Sequence, residues 1–302
     1  MSIRIRVPAT TANLGPGFDC LGLALDIWNE VEVEETGDHP DIRIDGEGAD
    51  RLPADDQNAI YSAMKFYALQ HNRFLPAGLR IQCLNRIPLG SGMGSSAAAA
   101  VAGIMCASAC LNTPYDVVDM LEIAAKIEGH PDNAAPCLMG GLVASITDPD
   151  CIIARPIPVA PLFLCITLPD FNLPTRQARA VLPAQVSREN AVFNLGRAVM
   201  TVEALRSGDL DLLSIAMQDQ IHQNYRMKLI PGAADALSAA RFAGAAAVAL
   251  SGAGPSLLAV ARDQHDLPEI SRAMEAAFNK AGLPARSFFP HITPVGAQMI
   301  PD

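Results

Sequence analysis

At 302 residues, half of them apolar, the chain is long enough for a sizeable core and two lobes, and it contains no internal repeat. A formal net charge of −10, with no Lys/Arg stripe, excludes a broad basic face for nucleic acid. The start of the chain has no long apolar segment of the signal-peptide kind, so a cytoplasmic protein without membrane association is expected. The seven cysteines, odd in number and without a Cys-x-x-Cys pair, predict reduced thiols rather than a disulfide framework or a zinc site.

In chain order, residues 3–7 and 30–35 alternate as strands, joined by a loop from Pro8 to Asp19 and a short apolar segment. Asn58 to Gln70 fits an amphipathic helix, and Leu79 to Asn85 a strand. A helix runs from Ser95 to about Cys110, and a second from Thr113-Pro114 until Gly129 and Pro131 stop it. Gly140 to Ile146 reads as a turn into a strand. The proline-rich stretch from Asp148 to Pro161 is the expected boundary between lobes 1–155 and 156–302. Beyond it come a strand at Leu162 to Leu168, a polar loop with Thr175, Arg176 and Arg179, and helices over 189–206 and 209–223. The turn Gly252-Ala253-Gly254-Pro255-Ser256 separates strands Ala243–Leu250 and Leu257–Ala261, Ile270 to Ala281 is helical, and Arg286 to Ile292 closes the chain as a strand. Mixed strands and helices without a repeating βαβ rhythm predict an α+β fold.

The richest local signal is the run Pro88-Leu89-Gly90-Ser91-Gly92-Met93-Gly94-Ser95-Ser96-Ala97-Ala98, where a glycine-rich turn enters a small-residue helix. Three glycines allow close backbone approach, and unpaired N–H groups at a helix start favour an anion, so phosphate is the expected guest. No lysine follows the last glycine, and no acidic residue about 20 positions on supports a dinucleotide fingerprint, so this is a phosphate loop of another type.

Three separated motifs, Val7 to Asp19, Pro88 to Ala98 and Leu250 to Ser256, together resemble the GHMP small-molecule kinases. Three more, Glu128 to Pro136, Thr175 to Pro183 and Asp219-Gln220-Ile221-His222 before Tyr225-Arg226, resemble the branch of that family that phosphorylates homoserine. The segment Pro290 to Gln298 departs from the usual closing pattern. The resemblance spans essentially the whole chain. It implies a two-lobed fold of mixed and antiparallel sheets with packed helices, an N-terminal ATP-binding lobe, and a C-terminal lobe that adds substrate contacts. It further implies ATP and Mg2+ as cosubstrates, L-homoserine as phosphoryl acceptor on the way to threonine, and a homodimer.

The same resemblance distributes the roles. Pro88 to Ala98 would cradle the nucleotide phosphates and Asn58 would touch adenine, with Ser95 or Ser96 adding a hydroxyl; Ser96 is preferred at the metal. Glu122, eleven residues before Asn133, is the preferred metal carboxylate, and Glu128 is the alternative. Asn133 stands where mevalonate-type relatives carry aspartate. An amide cannot serve as a general base, so Asn133 would orient the substrate hydroxyl while the proton leaves to the transferring phosphate or solvent. His130 and Asp132 are the competing bases. Asn13 and Asp19 would meet the ammonium and hydroxyl region, and Arg179 and Arg226 the carboxylate, with Thr175 orienting that end.

Overall fold

A computed structural model describes residues 2–301. The first sheet is built from β1 (Ser2–Ala12), β2 (Leu21–Glu35), β3 (Asp41–Gly46), β4 (Leu79–Asn85), β5 (Leu142–Thr147), β6 (Ile152–Ile157) and, from the far end of the chain, β11 (Gln298–Ile300). Its path is β11-β1-β2-β4-β3, and β5 leaves the other end of the long β2 to carry β6. Only β3 and β4 run parallel; the remaining pairs are antiparallel. Four helices accompany this sheet: α1 (Ala59–Gln70), α2 (Ser95–Cys110), α3 (Val117–Glu128) and α4 (Ala134–Met139).

The second sheet has the order β10-β7-β9-β8. It comprises β7 (Phe163–Pro169), β8 (Ala245–Leu250), β9 (Leu257–Ala261) and β10 (Ala285–Phe288). The helices of this half are α5 (Thr175–Ala180), α6 (Arg188–Ser207), α7 (Leu210–Ala216), α8 (Gln223–Arg226), α9 (Ala233–Phe242) and α10 (Leu267–Lys280). The fold is thus a two-lobed α+β arrangement. The chain returns to the first sheet at its end, and a cut at 155/156 falls inside β6 and parts β11 from its partner β1.

Where local signals suffice, elements fall where the sequence places them: β4 and α2 coincide with Leu79–Asn85 and Ser95–Cys110. Four differences have physical causes. Strand β1 does not stop at Pro8, because the missing N–H falls at a register shift between Pro8 and Ala9, after which Ala9 to Ala12 pair with Leu25 to Gly22. The connecting loop therefore shrinks to 13–20. Helix α3 starts later than Thr113, because the Asp116 carboxylate caps it by accepting from the N–H groups of Val118 and Asp119. The helix expected over 209–223 breaks after Ala216, because the Asp219 carboxylate accepts from the N–H groups of Ile221, His222 and Gln223 and starts α8 instead. The loop around Thr175 is the short helix α5, which follows Pro174 and buries Ala178.

Small residues in α2 set how closely it packs. A Cβ at Gly103 would stand 2.3 Å from the Ile60 carbonyl oxygen, so glycine admits α1 at a distance no other residue allows. All seven cysteines are free thiols. No helix among the described residues is long and apolar enough to cross a membrane.

Candidate active site

The Gly-rich segments converge through backbone hydrogen bonds. Thr10 N–H donates to Met93 O at 3.1 Å, Ser256 N–H to Ser91 O at 3.1 Å, and Gly252 N–H to Ala12 O at 3.1 Å. Ser251 Oγ adds a bond to Gly92 O at 2.8 Å. Glycine is needed at these crossings: a Cβ at Gly92 would lie 2.2 Å from Ser251 O, and one at Gly94 would lie 2.0 Å from Thr10 Oγ1. Gly90 is different, with only Asn172 Oδ1 nearby at 3.2 Å. Ser91 braces the turn by donating Oγ to Pro88 O at 2.7 Å and accepting from Met93 N. Pro88, Met93, Ala97 and Ala98 are buried and Leu89 is half-buried, and of these Leu89 and Ala98 line a cavity beside the loop.

A substitution at Gly94 should therefore act on the protein's own contacts. Gly94→Val is expected to disturb the Thr10–Asn133 junction and lower the melting temperature along with nucleotide affinity. Thermal unfolding beside ATP titration checks this, and a folded variant of wild-type stability with full affinity would refute it.

Helix α2 starts at Gly94, which adopts φ 71° and offers no side-chain cap. The N–H groups of Ser95, Ser96 and Ala97 consequently have no intrahelical acceptor, and the positive end of the helix dipole faces the same place. Around it lies a cavity of about 340 Å³, lined by Gly90 to Gly92, Gly94 to Ser96, Glu128, His130, Asp132, Asn133, Thr175, Arg179, Arg226 and the 252–254 turn, with Asn13 beside them. A second cavity of about 290 Å³ shares Gly90, Ser95 and Ser96 and is otherwise largely apolar, with Val31, Ile44, Leu52, Ile60 and Ala102 in its wall.

The two candidate carboxylates part company here. Glu128, the last residue of α3 before the left-handed Gly129, lines the larger cavity and accepts from Ser96 Oγ at 2.6 Å. Burial raises its pKa, while the Ser96 bond and His130 oppose that. Glu122 is absent from the walls of both cavities. Six residues back along a helix is ~120° around the axis and ~9 Å along it, so the two side chains cannot serve one point.

Asn133 is held at both ends of its amide: Oδ1 accepts from Thr10 Oγ1 at 2.8 Å, and Nδ2 donates to Asp132 Oδ1 at 3.1 Å. The same Asp132 oxygen meets His130 Nδ1 at 2.5 Å. Burial works against a charged His130, but the Asp132 hydrogen bond and negative charge prevail and raise its pKa. Asn13 donates Nδ2 to Gly252 O at 2.8 Å and accepts from Asp19 N–H at 3.0 Å, so it latches the first loop to the third. Asn58 caps α1 by accepting from Ile60 N–H, donates to Pro53 O, and lines the smaller cavity.

Asp19 and Arg179, expected at opposite ends of a substrate, bind each other through two parallel bonds of 3.0 and 2.7 Å. Both stay about one-third exposed, at 34% and 36%. Arg226 is 1% exposed. Its Nε donates to Ala178 O at 3.1 Å and its Nη1 approaches His222 Nδ1 at 3.2 Å. Burial, with Arg179 nearby, lowers its pKa to about 10, which leaves it cationic at neutral pH. Thr10 and His222 are site-building residues that received no role from sequence, whereas Asp132, weighed there as a competing base, instead fixes His130 and the Asn133 amide. A Thr and a His inside otherwise apolar or turn-rich motifs were the available signals.

Two family models match the chain, the GHMP kinases N terminal domain over residues 58–141 and the GHMP kinases C terminal over residues 201–280. A homoserine kinase of Moorella thermoacetica is 45% identical over 280 residues, covering 92% of this chain and 93% of that protein. A homoserine kinase of Desulfitobacterium hafniense is 40% identical over 299 residues, covering 99% of this chain and 100% of that protein. The crystal structure of homoserine kinase from Cytophaga hutchinsonii superposes with a TM-score of 0.87 at 33% identity, covering 99% of this chain and 97% of that one. A mevalonate kinase of L. major in complex with R-mevalonate, at 16% identity and a TM-score of 0.74, shares the fold alone. The chain belongs to the GHMP kinase family.

Proposed function

We propose that the chain transfers the γ-phosphoryl group of ATP to the side-chain hydroxyl of L-homoserine, forming O-phospho-L-homoserine. The observation that carries this reading is one cavity lined by an open helix N-terminus, a Ser96–Glu128 pair and the Arg179 and Arg226 guanidiniums, with Asp19 joined to it through its pair with Arg179. Relatives of 40% and 45% identity named homoserine kinase support the choice of acceptor.

Phosphoryl transfer asks for in-line positioning and stabilised oxygens more than for covalent chemistry. The N–H groups of Ser95 to Ala97 would take phosphate oxygens, and the apolar cavity beside them would take the base. The donor set suits magnesium, which prefers oxygen ligands and usually takes one or two carboxylates with phosphates and water. Glu128 and Ser96 supply a carboxylate and a hydroxyl, and no group of three acidic or metal-ligating side chains is present among the described residues. Bound there, Mg2+ would neutralise charge on the β- and γ-phosphates.

Asn133, with its amide direction set by Thr10 and Asp132, orients the acceptor hydroxyl. As the new oxygen–phosphorus bond forms and the bond to ADP breaks, the hydroxyl proton passes to the transferring phosphate or solvent. Asp19 meets the ammonium group, and the guanidiniums of Arg179 and Arg226 meet the carboxylate. A coupled ADP-release assay across homoserine, mevalonate, shikimate and galactose tests the reading. Homoserine should give the highest kcat/KM, and preference for an acceptor without an amino-acid group would overturn the assignment.

A further inference from the structure

The Asp219-to-His222 segment has no part in the chemistry above, yet it contains a buried imidazole in contact with a substrate-facing cation. His222 is 0% exposed. Its Nε2 lies 2.8 Å from Gly15 O, and a carbonyl can only accept, so Nε2 carries the proton. In the neutral ring Nδ1 is then a bare acceptor, and Arg226 Nη1 donates to it at 3.2 Å.

Neither partner is free to drift. The His222 ring stacks on Phe18 with centroids 5.1 Å apart, and the Arg226 guanidinium carbon lies 5.0 Å from the same Phe18 ring. Behind His222, the Asp219 carboxylate accepts from the N–H groups of His222 and Gln223, and Gln223 Oε1 accepts from Leu250 N–H at 2.7 Å. Within the guanidinium, Nε is engaged by Ala178 O, and Nη1 is engaged by His222 and Gly252 O. Nη2 makes no hydrogen bond among the described residues and is not among the buried unpartnered atoms, and Arg226 lines the cavity.

We propose that His222 is a positioning residue. As a neutral imidazole it anchors Nη1 of Arg226 and thereby turns Nη2 into the cavity to receive the carboxylate of the amino-acid substrate. This rests on the homoserine reading above. Protonation of His222 would remove the lone pair at Nδ1 and set a second cation against the guanidinium. The charged groups facing the ring are Asp219, whose Oδ2 lies 3.8 Å from Nε2, together with Arg226 and, from the first loop, Asp19. Burial outweighs the two carboxylates and lowers the His222 pKa, so the anchor is intact at neutral pH and fails only on the acid side of the ordinary histidine range.

The test is steady-state kinetics at saturating ATP, from about pH 5 to about pH 9, for wild type, His222→Phe and His222→Gln. Phenylalanine keeps the stack on Phe18 without the acceptor, whereas glutamine restores an acceptor oxygen. In wild type the homoserine KM should rise towards acid. In His222→Phe it should already be raised roughly tenfold or more at neutral pH. The acid rise should be gone in that variant, with the ATP KM unchanged and kcat largely retained. His222→Gln should recover part of the loss. A folded His222→Phe with the wild-type KM, or with a fall in kcat alone, overturns the proposal. Should His222→Phe not fold, 15N NMR of the ring in the wild-type chain decides: Nε2–H with bare Nδ1 at neutral pH is expected, and a protonated Nδ1 refutes it. A wild type that does not phosphorylate homoserine defeats the functional reading, and the NMR result still reports on the anchor.

Discussion

Glu128→Gln should reduce turnover by ~10²-fold or more, while Glu122→Gln stays near wild type. Glutamine keeps the length of the side chain and an oxygen to accept from Ser96 Oγ, which now lies 2.6 Å from the carboxylate, so the lost feature is the negative charge. A loss of that size corresponds to about 2.7 kcal/mol of transition-state stabilisation. It should be accompanied by a raised magnesium requirement, with little change in homoserine KM. Magnesium titration of turnover in both variants checks the assignment. A normal Glu128→Gln profile beside a defective Glu122→Gln profile would return the metal role to Glu122 and force a rearrangement of α3.

Arg226→Ala should impair amino-acid use and stability together. Removing this buried guanidinium leaves Ala178 O and His222 Nδ1 without donors and opens a void beside Phe18. The lost charge-assisted contact to substrate should add on the order of 2 kcal/mol, or roughly thirtyfold in kcat/KM for homoserine. Arg179→Ala should cost less stability, because its pair with Asp19 is about one-third exposed and screened by water. ATP affinity should hold in both. The deciding measurement compares kcat/KM for homoserine with that for its carboxylate-blocked amide. If the ratio is the same in wild type and in both variants, neither arginine reads the carboxylate. Lysine at 226 should rescue little, since an ammonium cannot reproduce a planar fork that serves Ala178 O, His222 and Gly252 O at once.

Some of the molecule is legible in short stretches because its determinants are local. Strand β4 alternates with period two, and α2 begins where Gly94 must adopt a positive φ and continues through alanines. The end of α3 is likewise written in Gly129, a left-handed cap. The family was readable too, because it rests on six ordered motifs and not on any one of them. Elements that depend on distant partners were not legible. Strand β11 is three residues long and exists because it pairs with β1 at the other end of the chain. The passage of β1 through Pro8 required knowing that the register shift would fall there.

By itself, then, the sequence determined the glycine-rich turn, the boundaries of the helix that follows it, the α+β class and the family, all through local backbone preferences and motif order. Only the tertiary structure decided which residues share a space. It turned Glu128 towards Ser96 and left Glu122 off the cavity walls, because residues six apart occupy different faces of a helix. It joined Asp19 to Arg179 across 160 residues and buried Arg226 between His222 and Ala178. Such pairings arise from loop closure and side-chain packing between segments far apart in the chain, and no local periodicity encodes them.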